Sequence, residues 1–328
     1  MIKVSFLITY YNQEDFVKDS LLSVINQNGE FYKEILIGDN NSTDNTIKIV
    51  NEIIENEKHR ENLNIKLFKN IRDEKELPFI NASKNRLELL KNATGDFVIF
   101  LDGDDFYCDY NFVQNAIDFL NKDSNKKYVG VCHDYELFYS SNRKEFDCID
   151  LKAGEVNSEL FVKDNYRHLG TIILRNFFTQ DLINTYRKTY IFDDIFVAYI
   201  ALLHGKLFFI NKIVLDYRQL EHSITNNYIK IEFYMSDTLI YYTSLKYLEE
   251  YKKPLFFKFK KAMALILLNI KDIDNIKKEK LERYKFIARV NNAEFLNDIF
   301  NWKNISFLKK ITLFTKFVVE YFKSKYLY

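Results

Sequence analysis

Gly95-Asp96-Phe97-Val98-Ile99-Phe100-Leu101-Asp102-Gly103-Asp104-Asp105 sets five consecutive apolar residues directly ahead of three carboxylates in four positions. An apolar run without polar alternation suits a strand covered on both faces, the habit of parallel sheets flanked by helices. Upstream, the pattern repeats. Residues 3–9, 34–39 and 64–69 are rich in β-branched and apolar side chains, and the stretches between them keep helical spacing: Phe16, Val17, Leu21, Leu22, Val24 and Ile25, then Ile47, Ile49, Val50, Ile53 and Ile54, then residues 80–91. Asn41-Ser42-Thr43-Asp44 predicts an N-cap cluster for the second helix. Alternating strand and helix predicts an α/β fold with a mostly parallel central sheet. Ligands of such sheets gather beyond the carboxyl ends of the strands, which directs attention to Tyr10-Tyr11-Asn12, Asp39-Asn40-Asn41 and Asp102-Gly103-Asp104-Asp105.

Past residue 127 the pattern is mixed, with strands expected at 128–132, 171–174, 206–210 and 213–218 and a helix over 194–204. Near 226 the composition changes to Lys, Tyr and Phe with helical period, predicting helices near 230–250, 255–270, 277–300 and 304–324. The expected division is therefore a catalytic domain over 1–225 and a helical C-terminal subdomain over 226–328, which serves packing, dimerisation or membrane association.

Composition excludes several classes. The 328 residues carry 47 Lys and Arg against 46 Asp and Glu, so no polycationic surface is available to coat nucleic acid. Only eight glycines occur, and the closest pair, Gly95 and Gly103, are eight apart, so neither GxGxxG nor GxxxxGK[ST] is present. Any bound phosphate must be held another way. No uncharged apolar run reaches the roughly 18 to 20 residues of a membrane span. Cys108, Cys132 and Cys148 lack CxxC spacing and pairing, which fits a reducing, cytoplasmic setting.

Three clustered carboxylates after a buried strand repel one another unless a cation sits between them, and oxygen donors select a hard ion, Mg²⁺ or Mn²⁺. A solvated acidic turn is the plainer alternative, since Asp-Gly is an ordinary turn dipeptide. Context adds weight to the first reading. Ile8-Thr9-Tyr10-Tyr11-Asn12, Ile37-Gly38-Asp39-Asn40-Asn41-Ser42-Thr43-Asp44 and the stretch ending Asp102-Gly103-Asp104-Asp105 together resemble the family 2 glycosyltransferases of the GT-A fold. Thr9 departs from the family's proline, and Asn40 and Asn41 from its second aspartate and glycine. The resemblance implies a Rossmann-like nucleotide-sugar-binding domain and inverting transfer from a UDP-sugar to a hydroxyl of a glycan or lipid-linked glycan, in bacterial surface polysaccharide synthesis.

By that resemblance Tyr11 offers a ring to uracil, Asp39 accepts from the uracil N3–H, and Asp102 and Gly103 complete the nucleotide site. Ser83-Lys84-Asn85 stands where the family has Ala-Arg-Asn, so Lys84 faces the diphosphate as a point charge. Asp104 and Asp102 hold the metal with His222, which lies in a closing segment, Tyr217 to Thr225, like the family's. Phe192-Asp193-Asp194 matches the family's acidic pair and makes Asp194 the general base; the alternative is a pair of acids favoured by a helix N-terminus. Asp105, His133 and Asp193 are candidate contacts to the acceptor or donor sugar, with a packed structural role the alternative for His133. Rival functions are an inactive glycan-binding or assembly protein and a sugar nucleotidyltransferase, although the latter leans on a glycine-rich loop that residues 9–14 lack.

At the C-terminus Phe307, Leu308, Ile311, Phe314, Phe317, Val318, Tyr321 and Phe322 recur at helical spacing opposite Lys309, Lys316 and Lys323. Such a helix either packs against its own subdomain or a second copy, or lies on the anionic inner face of the cytoplasmic membrane.

Overall fold

The computed structural model describes residues 1–139, 143–145, 152–163, 168–220, 230–293 and 296–319. Strands β1 (Ile2–Tyr10), β2 (Phe31–Asp39), β3 (Leu63–Lys69) and β4 (Phe97–Asp102) alternate with helices α1 (Val17–Ile25), α2 (Thr46–Glu57) and α3 (Pro78–Asn92). Next come β5 (Phe106–Tyr107), α4 (Phe112–Leu120), β6 (Tyr128–Phe138), β7 (Arg143–Glu145), β8 (Gly154–Glu155), α5 (Ser158–Lys163), β9 (Ile172–Arg175), α6 (Gln180–Arg187), α7 (Asp194–Ala201) and β10 (Lys206–Arg218). The C-terminal region supplies α8 (Lys230–Tyr247), α9 (Lys252–Leu268), α10 (Lys278–Val290), α11 (Leu296–Phe300) and α12 (Phe307–Phe314).

The ten strands of the described residues join one sheet, whose main path runs β3-β2-β1-β4-β9-β6-β10-β5. The first four are parallel, as their apolar runs predict. Antiparallel β9 then pairs with both β4 and β6. The expected strands at 206–210 and 213–218 are one continuous β10, with register shifts against β6 around Ile213.

Period-two alternation divides the sheet between two cores. Val4, Phe6 and Ile8 with Phe97, Ile99 and Leu101 face α1, α2 and α4. Leu7, Val98 and Phe100 belong to a second cluster that continues through Phe196 of α7 and Met263 of α9 to Phe317. That cluster does not divide at residue 226: the helical region shares its apolar core with one face of the sheet. The single helix expected over 277–300 is interrupted after Val290, where Asn292 turns left-handed at φ 54°. Residues 320–328, including Tyr321, Phe322 and Lys323, lie outside the described residues. Phe317 and Val318 are buried, whereas Phe307, Leu308, Ile311 and Phe314 are exposed.

Candidate functional site

Loops after β1, β2 and β4 meet at the carboxyl end of the parallel strands. Asn12 and Asn41 turn there at φ 51° and 65°, the left-handed region that Asn tolerates better than most residues. Instead of a simple N-cap, Ser42, Thr43 and Asp44 lace two loops together. Asn12 N–H donates to Ser42 Oγ at 2.9 Å, Thr43 N–H donates to Asn12 Oδ1 at 2.8 Å, and Asp44 accepts from both the Glu14 and Thr46 N–H groups. Buried Asp39 accepts from the Ser42 N–H through both carboxylate oxygens, at 3.2 and 3.3 Å. The Arg72 guanidinium lies 3.7 Å from the centroid of the Tyr11 ring, so one face of the ring expected to meet uracil already carries a cation.

At the end of β4, Asp102 is partly exposed and accepts from one Arg86 nitrogen through both oxygens, at 2.8 and 3.1 Å, with Thr9 Oγ1 at 3.3 Å. Burial pushes its carboxyl up, but Arg86, assisted by His168, pulls it below the ordinary value. Gly103 is required by crowding, because a Cβ there would run into the buried Tyr10 ring. Asp104 behaves differently. Burial and then the neighbouring Asp102 charge push its carboxyl up to about 6, despite Arg218 and a Gln13 hydrogen bond. Burial is the larger cause, and the nearby Arg218 charge does not offset it.

Asp105, a candidate sugar contact from sequence, is fully buried. Its Oδ1 accepts from the Arg218 N–H at 2.9 Å, and its Oδ2 faces His168 Nε2 at 3.5 Å. Burial, with Asp104 and Asp102 adding, holds this carboxyl well above the usual range. Such burial leaves Asp105 a supporting place beneath the acidic turn. Asp102, Asp105 and His168 bring ligand atoms within 4.8 Å of one another. His168 nonetheless suits a metal poorly, because its Nδ1 accepts from the Gly170 N–H at 3.2 Å, which places the ring proton on Nε2 facing Asp105. Asp104 and Asp102, expected from the sequence to hold the metal, offer only oxygen donors, the kind that suits Mg²⁺ or Mn²⁺. An under-compensated Asp104 fits such an ion.

Other expected site residues fall as follows. Lys84 donates to buried Glu76 at 3.1 Å and lines a cavity of about 310 Å³ with Asn40, Asn70, Ser83, Asn85 and Tyr190. His133 is buried, bonded to the Thr171 carbonyl oxygen at 3.1 Å and packed edge-on against Phe112. Burial pulls its pKa down to about 4, so it is a neutral core residue with no face for a sugar. Asp193 caps α7, accepting from the Phe196 N–H at 2.8 Å, and Asp194 is the first residue of that helix. His222 lies outside the described residues.

Sequence reading did not find Arg86, His168, Arg72 or the role of Arg218. Arg86 follows the quoted Ser83-Lys84-Asn85, and Arg218 stood within the closing segment. Arg218 donates from Nε to the Asp104 carbonyl oxygen at 2.7 Å and from a terminal nitrogen to Asp19 at 2.9 Å, with its guanidinium set among Phe16, Phe106 and Phe138.

In comparisons with known proteins, residues 5–147 match the model of glycosyl transferase family 2. That match spans less than half of the chain, so residues 5–147 resemble this family. Over 125 residues this chain is 33% identical to poly(ribitol-phosphate) beta-N-acetylglucosaminyltransferase TarS of Staphylococcus aureus, covering 37% of this chain and 19% of TarS. Over 165 residues it is 30% identical to GalNAc(5)-diNAcBac-PP-undecaprenol beta-1,3-glucosyltransferase of Campylobacter jejuni, covering 50% of this chain and 47% of the relative. The chain thus matches less than half the length of these curated relatives. In structure, S. aureus TarS 1–349 in complex with UDP-GlcNAc superposes with a TM-score of 0.60 and 17% identity, covering 99% of this chain and 92% of the other. The Pyrobaculum calidifontis mannosyltransferase PcManGT, in complex with GDP-Man and Mn²⁺, gives 0.50 and 13%, covering 92% and 88%. The fold, C-terminal helices included, is therefore that of these glycosyltransferase structures, GT-A. Among the described residues no helix is long and apolar enough to cross a membrane.

Proposed function

We propose that this chain is a metal-dependent, inverting glycosyltransferase that moves a sugar from a UDP-sugar to a hydroxyl of a glycan or lipid-linked glycan of the bacterial envelope. One observation carries the reading. Tyr11, Asp39, Asp102 and a charge-starved Asp104 sit on laced loops at one end of a parallel sheet, where nucleotide-sugars bind in α/β folds. Similarity to TarS in complex with UDP-GlcNAc supports the donor class, and the undecaprenol-linked substrate named for the C. jejuni relative supports the acceptor class.

In this reading uracil lies against Tyr11 and Arg72 and donates N3–H to Asp39. Asp104 and Asp102 would hold a divalent ion, which when bound would supply positive charge to the diphosphate of the departing UDP. Arg86 keeps Asp102 ionised and oriented. Lys84, on the cavity beside the nucleotide loops, faces the diphosphate as a point charge. Asp194 accepts the proton of the attacking hydroxyl, with Asp193 fixing the start of its helix. A screen of UDP-sugars for UDP release, with and without EDTA, tests the proposal. Release from one UDP-sugar that EDTA abolishes is expected; no release from any of them, with candidate envelope glycans present, would leave an inactive assembly protein as the reading.

A further inference from the structure

The C-terminal helix α10 reaches into the catalytic region at one place. Glu76, immediately before α3, is a buried carboxylate that Arg283 of α10 engages with two guanidinium nitrogens, while Lys84 and the Leu77 N–H occupy the same carboxylate. A two-nitrogen fork of this kind fixes orientation as well as charge. Arg283 also lies 5.5 Å from the centroid of the Tyr190 ring, and Phe286, one turn further along α10, meets that ring edge-on at 5.6 Å. Tyr190 has φ 60°, a strained conformation for a bulky residue that its surroundings must hold in place. On either side of it the backbone is gripped from both regions: Asn291 at the end of α10 donates to the Thr189 carbonyl oxygen at 2.8 Å, and the Phe192 N–H donates to Ser83 Oγ of α3 at 3.0 Å. Two residues after Phe192, α7 begins at Asp194.

We propose that Arg283 is a positioning residue for sugar transfer: by holding Glu76 and Tyr190 together it fixes the 188–193 segment that sets the first residue of α7, so the helical region completes the active site. The inference rests on the assignment of Asp194 as general base. Small displacements of a reacting group cost large factors in rate while ground-state donor binding stays in place.

The test uses the full chain with Arg283→Gln and, because a buried Glu76 left to Lys84 and the Leu77 N–H alone is less well compensated, Arg283→Lys, which keeps the charge and loses the fork. Hydrogen–deuterium exchange, UDP binding in the presence of Mn²⁺, and UDP release from the UDP-sugar found in the donor screen are measured beside Asp194→Asn. Faster exchange in 188–198, kcat lower by roughly 10-fold to 100-fold, UDP affinity within about 3-fold of wild type, and no further loss when Arg283→Lys is added to Asp194→Asn are expected. Unchanged exchange in 188–198, or a kcat loss that multiplies fully with that of Asp194→Asn, overturns the proposal. Faster exchange with unchanged kcat overturns it too if Asp194→Asn is inactive. If Asp194→Asn is itself fully active, the base assignment has failed, and with it the positioning role built on it.

Discussion

Asp104→Asn should stabilise the metal-free protein while abolishing transfer. The Asp104 carboxyl is pushed from its ordinary 3.8 up to about 6, chiefly by burial and then by Asp102. A folded state that binds this proton more tightly than the unfolded chain is favoured below pH 3.8, and that advantage is lost as pH rises through about 6. At pH 7.5 the ionised side chain therefore costs at most about 3 kcal/mol, taking about 1.4 kcal/mol for each tenfold change. Water reaches the partly exposed carboxylate and screens it, so about 1 kcal/mol is the realistic figure. Asparagine keeps the shape, removes the charge, and leaves the backbone oxygen that Arg218 holds untouched. In EDTA at pH 7.5 the variant should melt about 1 to 2 °C above wild type, and at pH 4 the two should coincide. Added Mn²⁺ at 100 times its Kd should raise wild type by about 2.7 kcal/mol and the variant by much less. A variant less stable than wild type in EDTA at pH 7.5, or one with an equal gain at pH 4, would refute the reasoning, because the effect would then not be electrostatic.

Asp194→Asn should leave UDP affinity near wild type by calorimetry and lower transfer by about 100-fold to 10,000-fold; a variant keeping a tenth of wild-type turnover would move the base elsewhere. Arg72→Ala, which uncovers one face of Tyr11, should weaken UDP binding by roughly 3-fold to 10-fold in the same titration, and an unchanged Kd would exclude that cation from the nucleotide site. A chain ended at residue 225 should fail to fold, seen as insolubility and loss of a cooperative melt, because α7 and the sheet share a core with α8 and α9; a soluble, cooperatively melting fragment would refute this. Exposed Phe307, Leu308, Ile311 and Phe314, alternating with lysines, should carry the full chain upward with anionic vesicles at low salt. A chain ended after Trp302 should stay behind, and equal flotation of both would remove the membrane claim.

The first four strands and three helices were legible because local periodicity and tertiary burial agree there. Phe97 to Leu101 reads as a strand buried on both faces and is one. Antiparallel β9 was not legible in orientation, since the apolar content of Ile172–Arg175 is the same whichever way the strand runs. The acidic turn was conspicuous in sequence, but its three carboxylates look alike there and differ in space. Asp102 faces Arg86, Asp104 faces too little positive charge, and Asp105 is sealed beneath them against His168. His133 takes the packed structural role weighed for it, although nothing in one sequence distinguishes a histidine at a strand end from one turned into the core. Hardest to see was Glu76 with Arg283, 207 residues apart. Neither lies in a motif, and a buried ion pair has no periodicity to betray it; only the packing of α10 against the catalytic region brings them together. The candidate site residues stand in short, ordered motifs, whereas the contact between Glu76 and Arg283 joins residues far apart in the chain. If the proposed positioning role holds, Arg283→Lys should register in kcat before it registers as loss of fold.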